Sequence, residues 1–254
     1  MQAVNRNVGV NKVTNRPVYF VALIMTLLLA ASLIAQTEQN VHATPQRPSF
    51  STNTATTHLG WLEFELGGSV DEHRFDVPAV LKVGLVEHLE AFAALMPIAD
   101  SEGSLDDMTL GGRLRFMQDE ERQLSLAAQA SLTTSEFDFS RGTDLGFLLI
   151  LSKAFGEYGL DLNAGLNVID GSDDQFVGIA TVGRSLAAAW SGYAELLLVQ
   201  DSGFDHGMSA ASFGVSYGHS PRTVFDLALN IGISDAPYDV QLLGGITHAF
   251  SKLW

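Results

Sequence analysis

The sequence contains no cysteine, few basic residues and little charge of either sign. Without cysteine, disulfide bonds and thiolate metal sites are excluded. Lys and Arg number 14 against 29 Asp and Glu, which gives a net charge of -15. Nucleic acid is therefore not expected as a partner, because its binding rests on neutralising phosphates. Charged residues make up only 17% of the chain, which is low for a soluble acidic protein. The composition indicates apolar surface that faces something other than water.

The first 43 residues have the features of an export signal. Three basic residues precede an uncharged apolar run over residues 18–34, and Val41-His42-Ala43 places small residues at the −3 and −1 positions of a cleavage site. We expect residues 1–43 to be a signal peptide cleaved after Ala43, with the Ala35–Gln36 bond as the alternative site. A permanent membrane anchor is the other interpretation, since the run is near the lower length limit of a spanning helix.

The next stretch, residues 44–57, is rich in Thr, Pro, Asn and Ser and shows no apolar periodicity. This composition predicts a flexible N-terminal leader. From residue 58 to residue 254 the pattern changes to repeated alternation of apolar and polar residues, which predicts β-strands. The clearest strands are Met108–Phe116, Gln123–Thr133, Gly159–Val168, Ser209–Gly218 and Thr223–Ser234. Weaker patterns cover Leu59–Gly68, Arg74–Leu85, Leu89–Pro97, Gly142–Phe155, Phe176–Leu186, Trp190–Gln200 and Asp239–Trp254.

Twelve strands of about ten residues match the length that a tilted strand needs to cross a membrane. The connections between them alternate between short turns and longer acidic loops, as in membrane barrels with short periplasmic turns. Because every backbone polar group in lipid must be paired, only a closed barrel allows strands to span. The predicted fold is all-β, a transmembrane antiparallel up-and-down β-barrel of about 12 strands over residues 58–254, in the bacterial outer membrane.

Two segments resemble a known family. The first reads Phe75-Asp76-Val77-Pro78-Ala79-Val80-Leu81-Lys82-Val83-Gly84-Leu85, followed by His88-Leu89-Glu90, and a second acidic stretch runs from Leu105 to Arg113. Both are similar to an outer-membrane β-barrel family named for the meta-pathway of phenol degradation, although Asp106 stands where that family usually has Gly. The resemblance implies an outer-membrane protein that moves small molecules, including apolar or aromatic ones.

Charges on the lipid face at mid-membrane are costly, so we orient the strands with their charges inward. This predicts a lumen with seven acidic and four basic residues, and hence a mild cation preference if the pore is open. The alternative is that these charges pair with one another and fill the barrel. The predicted lumen residues are Glu63, Glu65, Arg74, Asp76, Lys82, Glu90, Arg113, Arg115, Asp161, Glu195 and Asp226.

These predictions are compatible with three hypotheses for the function of the protein. The first is a channel or transporter for small molecules, and the second is a plugged structural or surface-interaction barrel with acidic outer loops. The third is a membrane-embedded hydrolase using His206 and Ser209; no other nearby pair except His219 with Ser220 offers such chemistry, and we expect no enzyme activity. We expect no cofactor and no dedicated metal site, although Asp170–Asp174 is a dense acidic cluster. The expected partners are outer-membrane lipid and lipopolysaccharide, the barrel assembly machinery, which reads aromatic-ended terminal strands, and a small solute.

Aromatic residues near the predicted strand ends are expected to form girdles at the membrane interfaces. They are Trp61, Phe75, Trp190, Tyr217, Phe225 and Trp254.

Overall fold

The computed structural model describes residues 41–73, 75–97, 105–135 and 142–254, and all regular elements in these residues are β-strands. Within these ranges no helix is long and apolar enough to cross a membrane. The expected signal peptide lies almost entirely outside the described residues. The strands are β1 (Trp61–Val70), β2 (Phe75–Asp76), β3 (Ala79–Val86), β4 (Leu89–Pro97), β5 (Leu105–Asp119), β6 (Leu124–Ser135), β7 (Asp144–Phe155), β8 (Tyr158–Val168), β9 (Gln175–Ala187), β10 (Trp190–Asp201), β11 (Gly207–Ser220), β12 (Thr223–Ser234) and β13 (Val240–Lys252).

The sheet closes on itself. Each long strand pairs with its neighbour in sequence, and β13 pairs antiparallel with β1 from Trp61↔Lys252 to Val70↔Leu242. Closure leaves no unpaired edge, which is what a sheet in hydrocarbon requires. The predicted barrel of twelve antiparallel strands is confirmed, with β2 as a two-residue addition that pairs with β1.

The strand expected over Arg74–Leu85 is broken into β2 and β3 at Val77 and Pro78. Proline lacks the N–H that a ladder needs, so the chain leaves the sheet at this point. The Pro78 carbonyl still accepts a hydrogen bond from the Gly67 amide at 2.9 Å. The break therefore interrupts the strand without detaching it from β1.

The short turns and the longer loops that connect the strands lie at opposite ends of the barrel. Tight turns join β3 to β4, β5 to β6, β7 to β8, β9 to β10 and β11 to β12, and β1 begins and β13 ends at this same end. The longer connections follow β1, β4, β6, β8, β10 and β12. This is the rhythm predicted from the sequence, and it assigns the short-turn end to the periplasm.

The outer surface is apolar and exposed. Leu149, Leu198 and Ile233 are 62%, 61% and 61% exposed. They belong to a larger set of exposed Leu, Val, Ile and Phe side chains that includes members on every long strand except β4 among the side chains described. A water-soluble monomer rarely leaves so much contiguous apolar surface uncovered. The belt therefore faces hydrocarbon.

Aromatic rings mark the short-turn end of this belt. The Trp190 and Tyr217 rings lie 5.0 Å apart, and the His219 ring lies near both Tyr217 and Phe225. Trp61 departs from the predicted girdle because it is only 4% exposed. It shares the inward phase of β1 with Glu63 and Glu65, and Arg222 lies over its ring.

Candidate functional site

Residues 41–57, here called the inner segment, lie inside the barrel. The Ala43 amide donates to the Pro221 carbonyl at the short-turn end, and at the far end of the segment the Gly60 amide donates to the Gly84 carbonyl of β3. The segment thus enters and leaves the lumen at the same end. The stretch predicted to be a flexible leader, residues 44–57, is here hydrogen-bonded along its length to polar groups of the barrel wall.

The first part of the inner segment meets three charged residues on β1 and β3. The Thr44 amide donates to Glu63 Oε2 at 2.7 Å, and the Gln46 amide donates to Glu65 Oε1 at 2.9 Å. Lys82 Nζ lies between the two carboxylates, 2.5 Å from Glu65 Oε1 and in contact with Glu63, and it also donates to the Thr44 carbonyl. Register places Glu63 and Lys82 opposite each other on neighbouring strands.

Arg47 occupies a slot made by glycines. A Cβ at Gly67 or at Gly245 would overlap its guanidinium group. Arg47 Nη2 donates to the Gly244 carbonyl at 3.2 Å and lies 3.8 Å from the Asp226 carboxylate. Inward-facing glycines on β1 and β13 therefore provide the space that this side chain needs.

The middle of the inner segment is bound by the opposite wall. Glu195 on β10 accepts hydrogen bonds from the Phe50 amide at 2.7 Å and the Ser51 amide at 2.9 Å. Asn163 on β8 accepts from the Thr52 amide at 2.8 Å and donates to the Thr52 carbonyl at 2.9 Å. The Asn163 side-chain amide thus both accepts from and donates to the backbone of Thr52, as a neighbouring β-strand would.

The last part of the inner segment returns along β3 to β7. The Thr54 amide donates to Ser152 at 3.0 Å, and the Thr57 amide donates to Glu90 Oε2 at 2.7 Å. Arg113 pairs with Glu90 and donates to the Asn53 carbonyl at 2.7 Å. Hydrogen bonds or ion pairs thus link the inner segment to all the long strands except β11 among those described.

The predicted lumen residues occupy different positions in this arrangement. Asp161 is partly buried and accepts a hydrogen bond from Ser152, and Arg115 lies at the short-turn end with Nη2 2.6 Å from Nδ1 of His88. Arg74 lies outside the described residues. The others are buried inside the barrel: Glu63, Glu65, Asp76, Lys82, Glu90, Arg113, Glu195 and Asp226.

A cavity of about 230 Å³ remains between the inner segment and the wall formed by β8 to β11. Its lining is polar, with Asp161, Thr181 and Ser216 from the wall and Gln46 and Arg47 from the segment. One aromatic ring, that of Tyr193, adds to it and lies over Gly214, where a Cβ would overlap the ring. Several lining residues lie near the tight turns, so the cavity is at the short-turn side of the lumen.

The other sequence candidates lie outside this arrangement. His206 is exposed in the β10–β11 loop, where its carbonyl accepts from Gln200 at 2.7 Å, and the His219 ring belongs to the aromatic set. No hydrogen bond joins His206 to Ser209 or His219 to Ser220 in the described part of the chain. Within the same part, no group of three or more His, Asp or Glu is placed to hold a metal ion.

In the outer loops, the amides of Glu72 itself and of Val240 donate to the Glu72 carboxylate and lower its pKa below the usual 4.5.

The sequence matches a family model described as "Putative MetA-pathway of phenol degradation" over residues 31–250. The chain belongs to this family. The resemblance found in the β2–β5 region is thereby confirmed for nearly the whole chain. No protein of curated function matches the sequence.

Solved structures show the same barrel at low sequence identity. An outer membrane channel from Pseudomonas putida F1 is 11% identical with a TM-score of 0.60, covering 80% of this chain and 100% of that one. The KdgM porin is 7% identical with a TM-score of 0.61, covering 74% and 99%. The NanC porin is 12% identical with a TM-score of 0.56, covering 75% and 99%. These similarities establish the fold, and with the exposed apolar belt they place the chain in the bacterial outer membrane.

Proposed function

We propose that this protein is an outer-membrane channel for small molecules whose lumen is closed by the inner segment in the conformation described. The observation that supports the proposal is that the inner segment occupies the lumen. A segment held by side chains of the barrel wall, rather than by a packed apolar core, fills a lumen that twelve strands leave wider than the filled eight-strand cylinder. Displacing it leaves a polar passage.

We propose that solutes pass along the cavity beside β8 to β11. Its Ser, Thr, Asp and Arg side chains offer donors and acceptors, and Tyr193 offers a ring face. Small aromatic molecules with polar substituents fit this lining better than purely apolar ones, because buried polar groups of the wall need partners. The family description, which refers to phenol degradation, agrees with this class of solute.

The alternative is a permanently plugged barrel that acts through its acidic outer loops. The bonds of Glu195 and Asn163 to the inner segment favour it, since they leave no obvious weak point in the middle of the segment. In that case the functional surface is the long-loop end, where divalent ions bridge lipopolysaccharide to acidic side chains. In either case we propose that the barrel assembly machinery recognises β13.

Deletion of residues 46–56 separates the two functions. The deletion keeps Thr44 and Thr57 at the edges and removes the bonds to Glu195 and Asn163. We expect single-channel conductance in planar bilayers to rise by roughly tenfold or more, because side chains of the inner segment no longer fill the lumen. The open channel should prefer cations, because the wall keeps more acidic than basic groups.

The matched control replaces residues 46–56 with a Gly-Ser stretch of the same length, which keeps the chain but removes its side-chain contacts. We expect an intermediate, flickering conductance. Folding of each variant is checked by its heat-modifiable migration in gels. A folded deletion variant that stays silent in the bilayer overturns the channel and supports the plugged barrel.

A further inference from the structure

The backbone nitrogen of Thr44 lies in a charged environment that is unusual for a peptide N–H. It is 2.7 Å from Glu63 Oε2, and the Thr44 hydroxyl lies 3.2 and 3.3 Å from the two oxygens of the same carboxylate. Lys82 Nζ donates to the Thr44 carbonyl at 2.7 Å. Both the amide and the carbonyl of Thr44 are therefore hydrogen-bonded to one cluster of charged residues, formed by Glu63, Glu65 and Lys82.

The charges in this cluster do not balance. Glu63, Glu65 and Lys82 are each 1% exposed, and the cluster holds two carboxylates against one ammonium group. The adjacent pair, Glu90 with Arg113, is balanced by itself. Within the described residues, Glu63 and Glu65 share one ammonium group, so the cluster carries one more buried negative charge than positive charge. An uncompensated buried charge is strongly unfavourable.

The sequence offers a cation at this position. Val41-His42-Ala43 is the predicted export cleavage site, and the nitrogen on the far side of that bond is the Thr44 nitrogen. Hydrolysis adds water across the Ala43–Thr44 amide: the C–N bond breaks, Ala43 leaves as a carboxylate, and the Thr44 amine takes up a proton. The product is an α-ammonium group at the place where the cluster lacks one.

We propose that the chain is cleaved after Ala43 and that the α-ammonium of Thr44 forms a buried ion pair with Glu63, which anchors the inner segment in the lumen. Cleavage at the Ala35–Gln36 bond would instead leave Thr44 with a neutral amide and keep residues 36–43 at the mouth of the barrel. The cluster thus discriminates between the two cleavage sites. The proposal holds whether or not the barrel conducts.

The test uses the exported protein purified from membranes in detergent. Intact mass and N-terminal peptide mapping should show a chain that begins at Thr44. An amine-reactive ester applied near neutral pH should then modify the exposed Lys153 at least about tenfold faster than the Thr44 amine, although a free α-amine has an ordinary pKa of about 7.7–8.0 and would react first. After heat denaturation the order should reverse.

Two variants test which wall carboxylate protects the Thr44 amine from labelling. Glu63→Gln removes the partner carboxylate, and we expect the Thr44 amine to label at least about tenfold faster, as a locally opened group does. Asp161→Asn removes a wall carboxylate that is bonded to Ser152 and should leave the labelling rate unchanged. A mature chain that begins at Gln36, an uncleaved chain, or a Thr44 amine that labels freely in the folded wild type overturns the proposal. Equal protection in wild type and Glu63→Gln does so as well.

Discussion

The two sides of the lumen differ in how their charges are satisfied. On the side of β1 to β5, opposite charges face each other across neighbouring strands, as Glu63↔Lys82 and Glu90↔Arg113 do. On the side of β8 to β11, register aligns Asp161↔Thr181 and Thr181↔Glu195, so carboxylates face hydroxyls instead of cations. The first side is filled by ion pairs, and the second retains a cavity.

Cross-strand register therefore determines whether a wall carboxylate has a cation or a hydroxyl opposite it. A directly opposed ion pair places a cation beside the carboxylate within the wall, and Glu63 and Glu90 also accept hydrogen bonds from the inner segment. A carboxylate opposite a hydroxyl keeps acceptor capacity, which Glu195 uses for the inner segment and which a passing solute could use in its place. The ion-paired side is a scaffold, and the acidic side is the proposed passage.

The largest expected effect tests the ion-paired side. Arg113→Ala removes the cation directly paired with the buried Glu90 and should lower the free energy of unfolding by about 3–5 kcal/mol. The matched change on the other side, Arg184→Ala, removes a pair with Glu157 whose side chains are 41% and 75% exposed, and should cost less than about 1 kcal/mol. Urea unfolding in lipid vesicles measures both. Equal losses would remove the distinction between the two sides.

A smaller effect tests the passage, in the channel that lacks residues 46–56. Gly159 lines the cavity, and a Cβ added there meets nothing within 4 Å. Gly159→Trp should therefore project a large ring from β8 into the opened passage and reduce conductance by about half or more. Gly178 is equally open but lies on the lipid-facing phase of β9, so Gly178→Trp should leave conductance unchanged. If both variants conduct like their parent, solutes do not pass along β8 to β11.

The smallest effect concerns the outer end of the ion-paired side, where Glu72 ties the loop after β1 to β13. The pKa of Glu72 is lowered by its own amide and that of Val240, so the tie is present above the ordinary value of 4.5 and is lost as the pH falls through the lowered pKa. Hydrogen exchange of the Val240 amide should be about two- to fivefold slower in wild type than in Glu72→Gln at pH 6, since exposed bonds contribute little. At strongly acidic pH the two proteins should exchange alike; a difference that persists there would contradict the assignment.

The barrel could be predicted from sequence because period-two alternation and turn lengths are local signals. The break at Pro78 was not predicted, because the apolar alternation continues on both sides of a proline that cannot donate to the ladder. The inner segment was missed because a polar stretch without periodicity has the same composition whether it is solvated or hydrogen-bonded to a wall. Two signals pointed to it: the excess of inward acids over bases, and inward glycines such as Gly67 and Gly245 with no turn to explain them.

Both ends of the inner segment lie at the short-turn end, so the segment enters the barrel and turns back on itself instead of passing through it. It can retract toward the periplasm without passing a free end across the membrane and without breaking a single hydrogen bond of the β-ladders. In the proposed channel, opening and closing would therefore be topologically simple, and an event on the periplasmic side would act on them while the barrel remains intact.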